Sequence, residues 1–263
     1  MVFNYDLKTC PVTYDFVTFL TLCEQLRLLR GSKKFYVYID DDISDFQVSC
    51  HPDWRWRIYN LLIPLAGMMP NCEGVGIGKI GERVGYSTID IDKEIYFDKD
   101  FKHITAGKTA LDMAYHTTNL ITLRQSSLYP ERNSNVDAWC RVFNGTFIDY
   151  NGTFIDDFEY YPTIYNINVE LRMAMYMKSK MNWFVAHGCG ALAMFNPNIP
   201  YRVFKPVTES VSCTTLDHIK RETGMSPGDN PHIASENQKY IWKEDNYDAI
   251  FNEFISLKPC ENH

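Results

Sequence analysis

The beginning of the chain alternates between apolar and amphipathic segments. Residues 2–7 and 34–40 (KFYVYID) have the composition of strands, and apolar side chains between them recur at helical spacing as far as Leu29. Asp15 or Thr13 stands where such a helix would begin. A strand, a helix and a strand in close succession are typical of parallel strands joined by a crossover helix. The pattern predicts an α/β fold with parallel sheets.

The segments that follow predict the end of a first α/β unit. A helix is predicted over 55–70, and Pro64 should kink or break it because proline has no backbone N–H and clashes with the preceding turn. A short strand is predicted over 74–77, within a glycine-dense stretch. Residues 89–104 are charged and irregular, which makes them the best candidate for a boundary between domains.

The remainder of the chain repeats the alternation. Helices are predicted at 106–115, 136–143, 168–181, 190–196, 237–241 and 248–257, and strands at 119–123, 154–159, 183–186 and 201–206. A heptad occurs twice in tandem over 144–157 (NGTFIDY, NGTFIDD); it is too short for a structural repeat and is interpreted as a lengthened loop. We therefore predict two Rossmann-like halves, a reduced N-terminal domain over 1–100 and a C-terminal domain over 101–263.

Composition narrows the possible classes of function. The formal charge of -7 counts against a broad nucleic-acid-binding surface, although a local basic groove remains possible. The sequence begins without a signal-peptide pattern, and no run approaches the ~18 apolar residues of a membrane span. The eight cysteines show no zinc-type spacing. We expect a cytoplasmic protein with reduced thiols and no membrane span.

The loop LRQSSLYPERNSN (123–135) is the richest polar cluster. Ligands of parallel α/β sheets bind beyond the carboxyl ends of the strands, and Arg124 is the first residue after a predicted strand. Arg132, Asn133 and Asn135 add donors just before a predicted helix. Two arginines and a helix N-terminus suit a diphosphate. The alternative is that one arginine pairs with a nearby carboxylate and that the other residues cap the helix.

The turn AHGCGAL follows another predicted strand. Gly188 and Gly190 would let the backbone approach a ligand closely, and a helix beginning near Ala191 would direct N–H groups at it. His187 could donate to a phosphate or ribose oxygen, or could be a structural histidine. Cys189 is interpreted as a packing residue rather than a nucleophile, because the sequence identifies no base beside it.

Three further features concern catalysis and metal binding. Asp15 is the carboxylate nearest the end of the first strand, so it is a candidate general base and equally a candidate helix cap. The DDD run (40–42) could hold a divalent ion, but a solvated turn is the favoured interpretation and no metal site is predicted. Gln238 could meet ribose hydroxyls or lie on an exposed helix. The segment 74–82 matches neither a P-loop nor a dinucleotide fingerprint.

Seven segments spread in order over the chain resemble bacterial and phage glycosyltransferases of the GT-B architecture. The segments are YDFVTFL, RWRIYNLLIPLAGMMP, ITLRQSSLYPERNSNVDAW, ELRMAMY, NWFVAHGCGALAMF, PYRVFKP and NQKYIWKEDN. The arrangement is also similar to fucosyltransferase-type enzymes, in which an arginine after the first strand of the C-terminal domain and a later strand-to-helix turn hold the donor diphosphate. Carried over, these roles fall on Arg124 and on residues 187–191. The H-x-R-R pattern of those enzymes is absent, since Leu123 and Gln125 flank Arg124.

The resemblance implies a hexosyltransferase-like enzyme that moves a sugar from a nucleotide sugar to the hydroxyl of a glycan or another acceptor. It implies an inverting, metal-independent reaction with no cofactor besides the nucleotide-sugar co-substrate, with Asp15 as base and an N-terminal domain on the acceptor side. A nucleic-acid acceptor remains possible, but the negative net charge of the chain does not support it. The alternatives are a sugar-nucleotide epimerase on the same fold and a non-catalytic nucleotide or sugar binder.

Overall fold

A computed structural model describes residues 1–126, 129–143, 153–157 and 168–257 of the chain. The first sheet contains four parallel strands in the order β3-β2-β1-β4. They are β1 (Val2–Asp6), β2 (Phe35–Asp40), β3 (Cys72–Ile77) and β4 (Glu82–Arg83). The predicted strands at 2–7, 34–40 and 74–77 are confirmed. The two-residue strand β4 was not predicted, because two charged residues between glycines carry no strand signal.

The helices of the first half are α1 (Phe16–Leu29), α2 (Asp45–Cys50), α3 (Trp54–Arg57), α4 (Ile63–Gly67) and α5 (Lys93–Tyr96). Helix α1 begins where the sequence predicted, and Asp15 occupies its N-cap position without a capping hydrogen bond from its side chain. The rings of Phe16 and Phe19 meet Tyr5 of β1 edge-on at centroid distances of 4.7 and 4.8 Å. These contacts place the start of α1 directly over the end of β1.

Pro64 disrupts its helix as predicted, but by widening it rather than by bending it. A π-helical segment (Ile58–Leu62) separates α3 from α4, and the N–H of Ile63 donates to the carbonyl of Ile58, five residues back. Pro64 follows as one of the first residues of α4. A proline ring clashes with the carbonyl four residues before it. The wider turn keeps the chain helical at this point.

The second sheet contains five parallel strands in the order β6-β5-β7-β8-β9. They are β5 (Thr117–Arg124), β6 (Thr153–Asp157), β7 (Ser179–Val185), β8 (Tyr201–Phe204) and β9 (Gln238–Ile241). The helices are α6 (Lys108–Met113), α7 (Val136–Val142), α8 (Val169–Lys178), α9 (Ala191–Met194), α10 (Leu216–Thr223) and α11 (Tyr247–Ser256). The prediction of α/β structure with two Rossmann-like halves is confirmed. The loop predicted at the repeated heptad lies at 144–152, outside the described residues.

Two helix predictions in this half were wrong in whole or in part. Residues 237–241 form strand β9 rather than a helix, because this segment finds a parallel partner in β8, with Val203 paired to Tyr240 and Phe204 to Ile241. A lone short segment carries no periodicity long enough to show this. The helix predicted over 168–181 ends at Lys178, because the following residues join β7 and pair with β5.

Helices α2 and α10 were not predicted, although the sequence around α10 carries signals for both of its ends. The Thr215 hydroxyl accepts a hydrogen bond from the N–H of His218, and Gly224 ends the helix in the left-handed region with φ 70°. A threonine cap and a terminal glycine are the usual signs of a short helix.

The apolar core is shared by the two halves. One cluster of buried residues includes Phe3 and Phe35 from the first sheet together with Phe184 and Tyr201 from the second. A separate cluster, which contains Trp139, Trp183 and Phe204, lies between the second sheet and helices α7 and α11. The boundary near residue 100 stays a prediction. Within the described residues, no helix combines the length and apolar character needed to cross a bilayer.

Candidate functional site

A cleft of about 740 Å³ lies between the two halves, at the carboxyl ends of the strands of both sheets. The first half contributes the loop after β1, including Cys10 and Asp15, and residues 83–88 after β4. The second half contributes Ala191 at the start of α9 and Lys205 after β8, together with residues of α10. Parallel α/β sheets bind their ligands at this edge. The cleft is therefore the candidate site.

Asp15 is the acidic group on the first wall of the cleft. Water reaches its side chain, yet the residue lies deep between the halves, and this burial raises the pKa of its carboxyl. The hydroxyl of Thr13 donates to its Oδ2 at 2.7 Å, and this bond together with the positive charge of Arg132 opposes the rise. A carboxylate with a raised pKa in a cleft has the properties of a general base.

Lys205 is the basic group on the opposite wall, and the sequence analysis did not identify it. It follows β8 directly, its Nζ lies 5.8 Å from the ring centroids of both Tyr240 and Trp242, and among the described residues no carboxylate forms a salt bridge with it. Burial, reinforced by the charge of Arg132, lowers the pKa of its ammonium to about 8. The sequence did carry one signal for Lys205, because it lies at the end of a predicted strand, where parallel sheets bind their ligands.

Arg132 lies behind the cleft, in the wall of an adjoining polar pocket of about 280 Å³. Its Nη1 donates to the sulfur of Cys213 at 3.2 Å and its Nη2 to the carbonyl of Ala186 at 3.2 Å. Its Nε is buried and has no hydrogen-bond partner among the described residues. Its charge affects the pKa values of both Asp15 and Lys205. Arg132 therefore adds positive potential to the cleft from behind.

Among the other members of the predicted arginine loop, Arg124 points into the protein, whereas Asn133 and Asn135 do not. Arg124 is 7% exposed, and its Nη1 donates to the carbonyl of Tyr129 and to Oδ1 of Asn133. Asn135 caps α7 by accepting from the N–H of Ala138. Asn133 and Asn135 line the adjoining pocket with Arg132 rather than the cleft. The structure thus brings only part of the predicted cluster near the cleft.

The predicted glycine turn forms part of the wall between the halves. Ala191 lines the cleft, while Gly188 lies against Tyr14, where an added Cβ would come within 3.1 Å of the tyrosine ring. His187 lies beside the sulfur of Cys189, with its Nδ1 at 3.0 Å. A side chain at position 188 would have to displace the Tyr14 ring by a few tenths of an ångström, so this close approach favours glycine.

Gln238 lies beneath the cleft. It is 1% exposed, and its Nε2 donates to the carbonyls of Ala193, Asn196 and Ile199 at 2.9–3.1 Å. The amide therefore connects the start of β9 to the segment that follows α9. This placement differs from the two predicted ones, a contact with ribose and an exposed helix.

The acidic run at 40–42 is occupied by ion pairs. Asp40 lies 3.4 Å from Lys79, and Asp42 pairs with Lys8. Among the described residues, no group of three or more His, Cys, Asp or Glu side chains is arranged to hold a metal ion. The solvated turn that was favoured for this run holds only for Asp41 and Asp42, which are exposed, because Asp40 is the buried last residue of β2.

Three more titratable residues line the cleft, all in segments that the sequence analysis left unassigned. His218 and Glu222 lie one turn apart on α10, and His232 faces them from the loop before β9. The Nε2 of His232 donates to the carbonyl of Ile91 at 2.7 Å, and Nδ1 of His218 accepts from Arg221 at 3.0 Å. The cleft thus holds more acid–base groups than Asp15 alone.

Comparison with known proteins shows that the fold of this chain resembles that of one solved structure. No protein-family model matches the sequence, and no curated protein matches it. A solved structure described as the glycosyl transferase family 9 from Veillonella parvula DSM 2008 superposes on it with a TM-score of 0.54 at 10% sequence identity. The match covers 100% of this chain and 90% of the other. The chain therefore has a glycosyltransferase-like fold, GT-B-like in its two Rossmann-like halves.

Proposed function

We propose that the chain is a glycosyltransferase that moves a sugar from a nucleotide sugar to an acceptor hydroxyl. The observation that carries the proposal is the cleft itself, which has a carboxylate of raised pKa on one wall and a half-buried ammonium on the other. That ammonium forms no salt bridge with any carboxylate in the part of the chain that the structure describes. The GT-B-like fold places both at the carboxyl ends of parallel strands. Such a cleft suits a reaction that needs a base and a site for a leaving diphosphate.

Lys205 and Arg132 are the proposed partners of the donor diphosphate. Lys205 reaches the cleft directly, and Arg132 acts on it from the adjoining pocket, where its buried Nε has no hydrogen-bond partner within the ranges that the structure describes. Ala191 and the turn around Gly188 and Gly190 form the adjacent wall, where His187 remains a proposed contact. Positive groups placed where negative charge develops lower the barrier for departure of the diphosphate, so the reaction requires no metal in this proposal.

Asp15 is the proposed general base of an inverting transfer. Its carboxylate would take the proton of the acceptor hydroxyl while the hydroxyl oxygen attacks the sugar carbon and the diphosphate leaves from the opposite face. We assign Arg124, Asn133, Asn135 and Gln238 a supporting role, because each forms a hydrogen bond with another residue of the protein. The proposal keeps one feature of the fucosyltransferase-like donor site, which is that the loop 123–135 supplies an arginine, Arg132, to the diphosphate.

Calorimetric titration with UDP, GDP, ADP and dTDP tests the donor site. At least one diphosphate should bind, and Lys205→Ala should weaken its binding by roughly tenfold to a hundredfold, the usual loss for a charged hydrogen bond. Lys108→Ala, a change of an exposed lysine on α6, is the matched control and should leave binding unchanged. Absence of binding by all four nucleotides would overturn the proposed donor site.

Asp15→Asn separates catalysis from binding. The variant should bind the diphosphate with unchanged affinity and lose transfer activity by roughly 10²- to 10⁴-fold, as expected when a general base is removed. Donor turnover can be followed by release of the nucleoside diphosphate from nucleotide sugars, with and without glycan acceptors. Full activity in the variant would exclude Asp15 as the base.

A sugar-nucleotide epimerase is the second candidate, and His218, Glu222 and His232 in the cleft are the observation that favours it. An epimerase needs acid–base groups on two sides of the sugar and no acceptor. Incubation of nucleotide sugars without acceptor, followed by chromatography, distinguishes the candidates. An epimerised nucleotide sugar would support the epimerase, whereas intact donor under all conditions would support a non-catalytic binder.

A further inference from the structure

The sulfur of Cys189 lies among three polar side chains next to the cleft wall. Nδ1 of His187 is 3.0 Å from it, Nη1 of Arg172 is 3.3 Å away and the hydroxyl of Tyr176 is 3.5 Å away. Arg172 is 1% exposed and Tyr176 is fully buried, whereas His187 is only half-buried. Residues from helix α8 and from the turn after β7 thus meet at one sulfur atom.

This arrangement favours the ionised form of the thiol. A neutral thiol is a weak donor and a weak acceptor, whereas a thiolate accepts strongly from the guanidinium and the phenol that point at it. Hydrogen bonds to the charged form, and a nearby guanidinium or imidazolium, favour the thiolate. The sequence indicated a packing cysteine because it showed no base nearby. The structure brings His187 within reach, where it can take the thiol proton.

Four of the other thiols have the opposite environment, whereas Cys213 accepts a hydrogen bond from the guanidinium of Arg132 at 3.2 Å. Burial raises the pKa of Cys10 and Cys23, and raises that of Cys72 to about 11. Cys140 is more open to solvent than Cys189, and its pKa is also raised, by burial and by the charge of Asp137. Cys140 therefore provides a matched comparison, because it is the more accessible thiol but lacks a cationic neighbour of the kind that Cys189 has.

We propose that Cys189 is held as a thiolate by Arg172, Tyr176 and His187, and that it is a site of oxidation by hydrogen peroxide. The thiolate attacks one peroxide oxygen, an S–O bond forms as the O–O bond breaks, and the departing hydroxide takes a proton from His187 to leave as water. The product is a sulfenic acid. Cys189 is 3% exposed, so the site admits a reagent as small as a peroxide more readily than a bulky one.

Ionisation of Cys189 is measured by thiolate absorbance at 240 nm, which does not depend on access of a reagent. At pH 7 the wild-type chain should absorb more than Cys189→Ser by the contribution of one thiolate, and acidification should remove the difference. A difference that develops only above about pH 8.5, the value for a free thiol, would overturn the proposal. His187→Gln should raise the midpoint, and an unchanged midpoint would contradict the role given to His187.

Reactivity is measured by brief exposure of the folded chain to less than one equivalent of peroxide at pH 7. The chain is then unfolded at once in excess dimedone, so that the trap reaches buried sulfenic acids, and its peptides are analysed by mass spectrometry. Label on Cys189 should exceed label on Cys140 by at least about tenfold, because only the thiolate reacts at an appreciable rate. Equal labelling of the two, or label absent from Cys189, would overturn the proposal. Neither measurement requires transferase activity, so the outcome is independent of the proposed function.

Discussion

At the scale of single residues, Lys205 makes the cleft sensitive to pH. An ammonium whose pKa is lowered to about 8 is mostly charged at pH 7 and loses its proton as the pH rises through 8. Only the charged form attracts a diphosphate. A bound anion would raise this pKa again, so binding should be accompanied by uptake of a proton.

We predict that diphosphate affinity is highest near neutral pH and falls above pH 8, approaching a tenfold loss per pH unit where Lys205 titration governs binding. Calorimetry of a bound diphosphate at several pH values, in buffers with different ionisation enthalpies, measures both the affinity and the proton uptake. The Lys205→Ala variant should lack this dependence. A wild-type affinity that stays constant from pH 7 to 9.5 would show that Lys205 does not contact the ligand.

A second prediction concerns Thr13 and the pKa of Asp15. The Thr13 hydroxyl stabilises the charged carboxylate, so its removal in Thr13→Val should raise the pKa of Asp15 further. If Asp15 is the base, activity rises with pH as it deprotonates, and the acidic limb of the pH–rate profile should move to higher pH. Thr9→Val, on the same loop and without a bond to Asp15, is the control. If the wild type and Thr13→Val had the same acidic limb, ionisation of Asp15 would not be its cause.

Sequence reasoning could find Asp15 and the arginine loop, because each follows a recognisable strand. It could not tell that Arg124 is buried within its own loop while Arg132 lies nearer the cleft, because tertiary contacts decide this. Lys205 also follows a predicted strand, but a single lysine after a strand is common. What distinguishes Lys205 is burial beside Tyr240 and Trp242, which is set by residues far along the chain.

At the scale of elements, α1, β1, β2 and β5 could be predicted because their apolar periodicity is long and their ends are marked. β9 and α10 were mispredicted or missed because they are short and polar. The assignment of β9 depends on pairing with β8, an interaction that no local pattern encodes. β9 is the edge strand of the second sheet, and the buried amide of Gln238 at its start holds it to the carbonyls of residues 193, 196 and 199.

We predict that Gln238→Leu lowers the free energy of unfolding by about 2 kcal/mol or more. The substitution has similar volume, but it removes the amide donor to the carbonyls of Ala193, Asn196 and Ile199 and the acceptor of the Ser235 N–H. The carbonyls of Ala193 and Asn196 keep a backbone donor, so the loss falls mainly on Ile199 and Ser235. Denaturant titration monitored by circular dichroism measures the loss. Lys239→Gln, at the exposed neighbouring position, should change stability by less than about 0.5 kcal/mol. Equal stability of Gln238→Leu and the wild type would contradict this account of β9.

At the scale of the whole molecule, the shared core predicts cooperative unfolding of the two halves. Phe3 and Phe35 of the first sheet belong to the same buried cluster as Phe184 and Tyr201 of the second. Calorimetry should therefore show one thermal transition. Fluorescence should show that Trp54 and Trp183, which are buried in different halves, become exposed to solvent at the same temperature. A fragment of residues 101–263 should not reach the native fold. Two separate transitions would show that the halves are independent domains.

The contact of Tyr14 with Gly188 has a consequence for recombining this chain with others. The loop that carries the proposed base and the turn that borders the proposed donor site approach each other closely, because position 188 has no side chain. A chimera that joins the first half of this chain to the second half of another protein of this fold should be most stable with a glycine at the facing position. The fit between Tyr14 and the residue at position 188 should affect the folding of such chimeras more than the choice of linker does.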